Sequence, residues 1–151
     1  MKEEPAPTAA TEMARLAITE ALHRYCVAVD SHDAAAFDAL CAPDASVDFG
    51  ARYQGSAAGF MVSLLEARAR TLRMRHEVTD IAILLADDGC SASSTCAVQA
   101  AVLRIGENGE EWRRVRGLYE DRWTLVDGRW LLLHRRYRQL ELVGGHDQAP
   151  S

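Results

Sequence analysis

Apolar residues recur at helical spacing through the first half of the chain and at strand spacing through the second. Over residues 11–30, Ile18, Leu22, Tyr25, Cys26 and Val29 fall on one arc of a helix. Asp33 then stands as the N-cap of a short helix, 34–41, which Pro43 stops. Short strands at 46–49 and 52–54 flank Gly50. Ser56 is placed to cap a third helix running to about residue 72, with Phe60, Leu64, Leu65 and Ala69 on its inner side. Beyond it the period changes to two, and four long strands are predicted at 75–85, 90–105, 113–125 and 129–142. Their connections, Asp87-Asp88-Gly89, Gly106-Glu107-Asn108-Gly109 and Asp127-Gly128, are tight turns that join only antiparallel neighbours. Helices first and a meander second predict an α+β fold, with the helices packed in the concave face of a curved, mainly antiparallel sheet. Polar residues facing the space between the two layers are then the informative ones.

A chain of 151 residues suits one domain. That domain is expected over 11–142, with flexible tails at 1–10 and 143–151 that are rich in Pro, Gly, Ala and polar residues. The formal net charge of -5 argues against nucleic acid as a partner. The stretch Arg113-Arg114-Val115-Arg116 reads as a solvated strand face. Cys26, Cys41, Cys90 and Cys96 have no CxxC or zinc spacing, so no metal site is expected. No apolar run is long enough for a membrane span and no signal peptide is visible, so a cytoplasmic protein is expected.

One residue does not fit its element. Asp30 lies one turn beyond Cys26, on the flank of the apolar arc of the first helix. It is either a chain-direction signal at the helix end or the polar tool of a pocket, and Asp33 fits the capping role better. Tyr25, on the arc itself, is either a core tyrosine or a hydrogen-bond donor to a ligand. Asp121 suits an ion pair with Arg135 or Arg136 across neighbouring strands. His23, His32 and His146 show no role, and the direction of His134 is open because the last strand is amphipathic on neither face.

The segment Arg24 to Asp33 running into Phe37 to Ala45 resembles the SnoaL-like branch of the nuclear transport factor 2-like superfamily. So do Arg75-His76-Glu77-Val78-Thr79-Asp80, Gly117 to Arg122 and Gly128-Arg129-Trp130. The resemblance implies a cone-shaped fold and a choice of activities that includes dehydratases, isomerases, cyclases and plain binding modules. Scytalone dehydratase-like members carry an Asp and a His at the positions of Asp30 and His76. They also carry a second His and a Tyr that are missing here, where 90–105 has no His and Phe49 takes the Tyr position. Ketosteroid isomerases have a Tyr matched by Tyr25, but their basic carboxylate falls at Phe49.

What the resemblance implies is therefore a dyad. A carboxylate at Asp30 would hold one imidazole nitrogen of His76 and fix its tautomer, leaving the other to move a proton. Tyr25 would polarise a ligand oxygen, and Phe49, Val78, Asp80, Tyr119 and Trp123 would line the pocket. The expected function is a cofactor-independent lyase or isomerase acting on a small, largely apolar ligand of polyketide, steroid or terpenoid type. The alternative is a non-catalytic binding or assembly module with the same pocket. A homodimer through the outer sheet face is expected from the resemblance. It is also expected because apolar residues occupy both sides of the first long strand, Ile81, Ile83 and Leu85 against Val78 and Leu84.

Overall fold

The computed structural model describes residues 2–145. Helix α1, Ala9–Asp30, starts where the Thr8 side chain accepts a hydrogen bond from the Thr11 N–H. It buries Ile18, Leu22, Tyr25, Cys26 and Val29, the arc read from the sequence. Its end is a Schellman motif: the His32 N–H donates to the Val29 carbonyl and the Asp33 N–H to the Ala28 carbonyl. His32 takes the left-handed position of that motif at φ 55°. Asp33 then caps α2, Ala34–Leu40, accepting from the Ala36 N–H at 3.0 Å. Two helix ends are thus locked together across the three residues Ser31 to Asp33, just after Asp30.

Strands β1 (Cys41–Asp48) and β2 (Gln54–Ser56) lead into α3 (Ala57–Ala67), which is capped by the Ser56 hydroxyl. The long strands β3 (Thr71–Leu85), β4 (Ser91–Gly106), β5 (Gly109–Val126) and β6 (Arg129–Gly145) form the expected antiparallel meander. The six-stranded sheet has the order β2-β1-β6-β5-β4-β3, so β3 is a free edge. It is mixed, because β1 runs parallel to β6. The fold is α+β: three helices on an open, curved sheet.

Several predicted features differ. The second helix stops at Leu40, and Cys41 and Pro43 belong to β1, which ends at Asp48 and leaves Phe49 just outside. The third helix ends at Ala67 and tightens into a 3₁₀ turn at Arg68–Arg70. Leu65 and Ala69 are therefore exposed rather than inward. Strand β3 carries a bulge between Thr79 and Ala82, where Asp80 adopts φ 55°. An extra residue reverses side-chain parity. Met74 and Val78 before the bulge, and Ile81, Ile83 and Leu85 after it, all pack on the one core. Leu84, 71% exposed, and Leu72 at the start of the strand stand outward, so the apolar residues of β3 are concentrated on its core face. A second bulge, between Leu132 and His134, does the same to β6, so Leu132, Arg135 and Tyr137 share the inner side. His146 lies outside the described residues.

Candidate active site

Asp30 is the last residue of α1, whose final turn has no basic side chain. A carboxylate at the negative end of a helix costs roughly 0.3–1 kcal/mol. Here two hydrogen bonds to one residue offset that cost. The Asp30 Oδ2 accepts from the main-chain N–H of His76 at 2.8 Å, and Oδ1 lies 2.6 Å from the His76 Nδ1. Hydrogen bonds to charged groups contribute roughly 1.5–3 kcal/mol each, so the pair outweighs the dipole penalty. Because β3 is a sheet edge, this N–H meets the helix end where a central strand would meet a neighbour. A carboxylate only accepts, so Nδ1 carries the proton of the shared bond. Nε2 has no partner among the described residues, and the pair is part-exposed, 15% for His76 and 21% for Asp30.

A second acid–base pair lies deeper. The Arg135 Nε and Nη2 donate to Asp121 Oδ1 and Oδ2, both at 2.8 Å, with both side chains fully buried. Of the two partners left open by the sequence, Asp121 pairs with Arg135. The guanidinium stacks between Tyr25 and Tyr119, 4.0 and 3.8 Å from their ring centres. Burial works against the Arg135 charge, but the Asp121 carboxylate outweighs it and holds the pKa well above its ordinary value. Burial raises the Tyr25 phenol to about 12, with the Arg135 charge pulling the other way. Tyr25 is therefore a protonated core residue that stacks on the cation. Burial also lifts the Cys26 and Cys41 thiols to about 11 and Cys96 to about 12, which makes them inert.

The expected lining residues separate. Val78, Tyr119 and Trp123 are buried in the core, and the Trp123 indole N–H donates to the Ser94 hydroxyl at 2.8 Å. Phe49 is half-buried, with its ring 4.6 Å from that of Phe60 and 6.0 Å from that of Tyr137. Asp80 leaves the face of His76 and Val78 because of the bulge, and is exposed. His134 lies on the side of β6 opposite Arg135, where Nδ1 meets the Ser46 hydroxyl at 2.7 Å. A cavity of about 1070 Å³ reaches Asp30 and is otherwise bounded mainly by residues such as Arg73, Arg75, Trp112 and Arg114, not by the five expected lining residues.

Two buried donor atoms were not foreseen in the sequence, one of them on the Arg135 already considered as a partner for Asp121. Among the described residues, only Arg135 Nη1 and Tyr137 Oη are buried side-chain polar atoms without a hydrogen-bond partner. The first could have been inferred, since a carboxylate that engages Nε and Nη2 leaves the other guanidinium nitrogen over. No group of three or more His, Cys, Asp or Glu is gathered to hold a metal among the described residues. No helix there is long and apolar enough to cross a membrane.

Solved structures share this arrangement of elements at low identity. A proposed scytalone dehydratase from Novosphingobium aromaticivorans superposes with a TM-score of 0.79 at 18% identity, covering 96% of this chain and 95% of the other. A proposed aromatic ring hydroxylase from the same species gives 0.77 at 23%, covering 95% and 98%. The hexachlorocyclohexane dehydrochlorinase LinA-type3 of Novosphingobium barchaimii gives 0.79 at 14%, covering 94% and 98%. These likenesses establish the fold. A search of curated proteins gives no match. The family model for the SnoaL-like domain matches residues 11–136, most of the chain, and the protein belongs to that family.

Proposed function

We propose that the protein is a cofactor-independent lyase or isomerase that moves a proton on a small, largely apolar ligand of polyketide, steroid or terpenoid type. The observation that carries this reading is the double engagement of His76 by Asp30. One carboxylate oxygen holds the ring and the other holds the backbone of the same residue, so the imidazole is fixed and Nε2 is left without a partner among the described residues. A positioned imidazole of this kind contributes roughly 10²–10⁴-fold to a proton transfer. Elimination of water, double-bond migration and ring closure each need a proton removed at one atom and delivered at another. His76 is the general acid/base and Asp30 its positioning residue, while Tyr25, buried against Arg135, serves packing.

The test is incubation with bacterial metabolite extracts, followed by mass spectrometry. A converted compound whose turnover falls at least about 100-fold in His76→Ala and in Asp30→Asn is expected. Full turnover in both variants would sink the proposal. Retention of a compound without conversion would favour a binding module.

A further inference from the structure

We infer that the outer face of the sheet carries a ligand site for a flat aromatic or cyclic carboxylate, held by Arg73 and Arg114 beside Trp112. The inference stands apart from the proton-transfer reading and concerns the cavity of about 1070 Å³. Its β3 residues Arg73, Arg75 and Glu77 alternate with Met74, His76 and Val78. Met74 and Val78 pack on the core, so the cavity lies mainly across the opposite side of the sheet. It reaches Asp30 because that carboxylate meets a main-chain N–H at the free edge of β3, between the two faces.

The cavity is polarised in charge. Three rows of paired residues underlie it. The first runs Arg73, Leu103, Trp112, and the second Arg75, Ala101, Arg114, Val143. The third runs Glu77, Gln99, Arg116, Glu141. Both glutamates of the lining thus fall in the third row, and both are matched by arginines. The Arg75 Nε lies 3.0 Å from Glu77 Oε1, and the Arg116 Nη1 lies 3.8 Å from Glu141 Oε2. The first two rows hold three guanidinium groups and no carboxylate. Arg73, at the end of β3 away from Asp30, forms no ion pair among the described residues.

This end of the cavity suits one planar anion. Arginine and carboxylate form charge-assisted hydrogen bonds that are often bidentate. Ala101 lies between Arg75 and Arg114, which stand two strand spacings, or roughly 9–10 Å, apart. Its methyl group leaves the floor low between two long side chains. The half-buried Trp112 indole, in the adjoining row, offers a flat apolar wall for a ring. The acids of the third row limit the charge that the cavity accepts, which favours a monoanion over a polyanion such as nucleic acid.

The experiment titrates benzoate and its neutral isostere benzamide into the full chain and follows binding by ligand-detected NMR. Wild-type protein is expected to prefer benzoate by about three- to tenfold at low salt, and to lose most of that preference at about 1 M salt. Arg73→Gln should reduce the preference about threefold. Ala101→Leu should abolish binding of both probes by filling the floor, with an unchanged urea unfolding curve showing that the fold is kept. His76→Ala should leave the preference intact, so a failure of the proton-transfer reading is separable from a failure of this one. Equal binding of the two probes, no binding of benzoate, or an unchanged preference in Arg73→Gln would overturn the assignment. A wild-type dimer that binds no benzoate and that Ala101→Leu dissociates in light scattering would also overturn it, giving the cavity to a second copy of the chain.

Discussion

Asp30 with His76 and Asp121 with Arg135 are the same kind of pair in two settings. Asp121 and Arg135 are sealed in the core, and the bidentate bond between them consumes both carboxylate oxygens. Asp30 and His76 sit at a helix end and a sheet edge, part-exposed, with one imidazole nitrogen left over. Burial assigns the first pair chiefly to stability, since removing one partner strands a charge. The second pair, part-exposed and with a spare nitrogen, is the one proposed to carry the chemistry. The two regions meet through α1, because Tyr25 stacks on the buried cation and Asp30 ends the same helix.

The comparison makes graded predictions. Asp121→Ala should cost about 3–5 kcal/mol in urea unfolding, because the Arg135 charge would remain buried without its partner. His76→Ala should lower turnover about 10²–10⁴-fold while shifting stability by no more than about 1–2 kcal/mol, measured on the same unfolding curve. If the two variants exchange these phenotypes, the division of labour is wrong. Asp30→Asn should lose most turnover with a smaller stability change than Asp121→Ala, since an amide oxygen can still accept from the His76 N–H.

Alkaline unfolding sharpens the picture of the sealed interior. Cys26 and Cys41 have folded pKa values raised from 9.0 to about 11. Raised values mean that the folded state holds these protons more tightly, so the contribution to stability is full below pH 9 and is lost as pH rises through about 11. Thermal unfolding followed across that window should show the decline. At mildly alkaline pH only the exposed Cys90 should react promptly with Ellman's reagent, and rapid labelling of Cys26 or Cys96 would contradict a closed core. The smallest effect concerns association. With Val78 turned to the core, the dimer expectation rests on outlying residues such as Leu84 and Ile105, both exposed. Leu84→Glu should weaken any dimer seen by light scattering and leave a monomer unaffected.

Much of this was legible in the sequence because it depends on local rules. Asp33 and Ser56 cap the helices they were expected to cap. Asp127-Gly128 forms the hairpin turn with positive φ at both residues. The juxtaposition of Asp30 and His76 was legible through the family resemblance, not through spacing, as they lie 46 residues apart. Non-local irregularities were not legible. The bulge at Asp80 reverses the faces of β3, and nothing in an aspartate's neighbours announces a left-handed residue in mid-strand. The parallel pairing of β1 with β6 exposes no local signal either. The orphaned donors on β6 needed the register, because only the bulge beside His134 puts Arg135 and Tyr137 on the inner side.

The claim at the centre is that Asp30 holds His76 with its Nε2 free for proton transfer. The direct measurement is the tautomer of the neutral His76 ring by nitrogen-15 NMR, with His76→Ala for assignment and Asp30→Asn as comparison. The structure predicts a single tautomer protonated at Nδ1, with a strongly deshielded Nδ1 proton that is lost in Asp30→Asn. A neutral ring protonated at Nε2, or a mixture of tautomers that Asp30→Asn leaves unchanged, would contradict it.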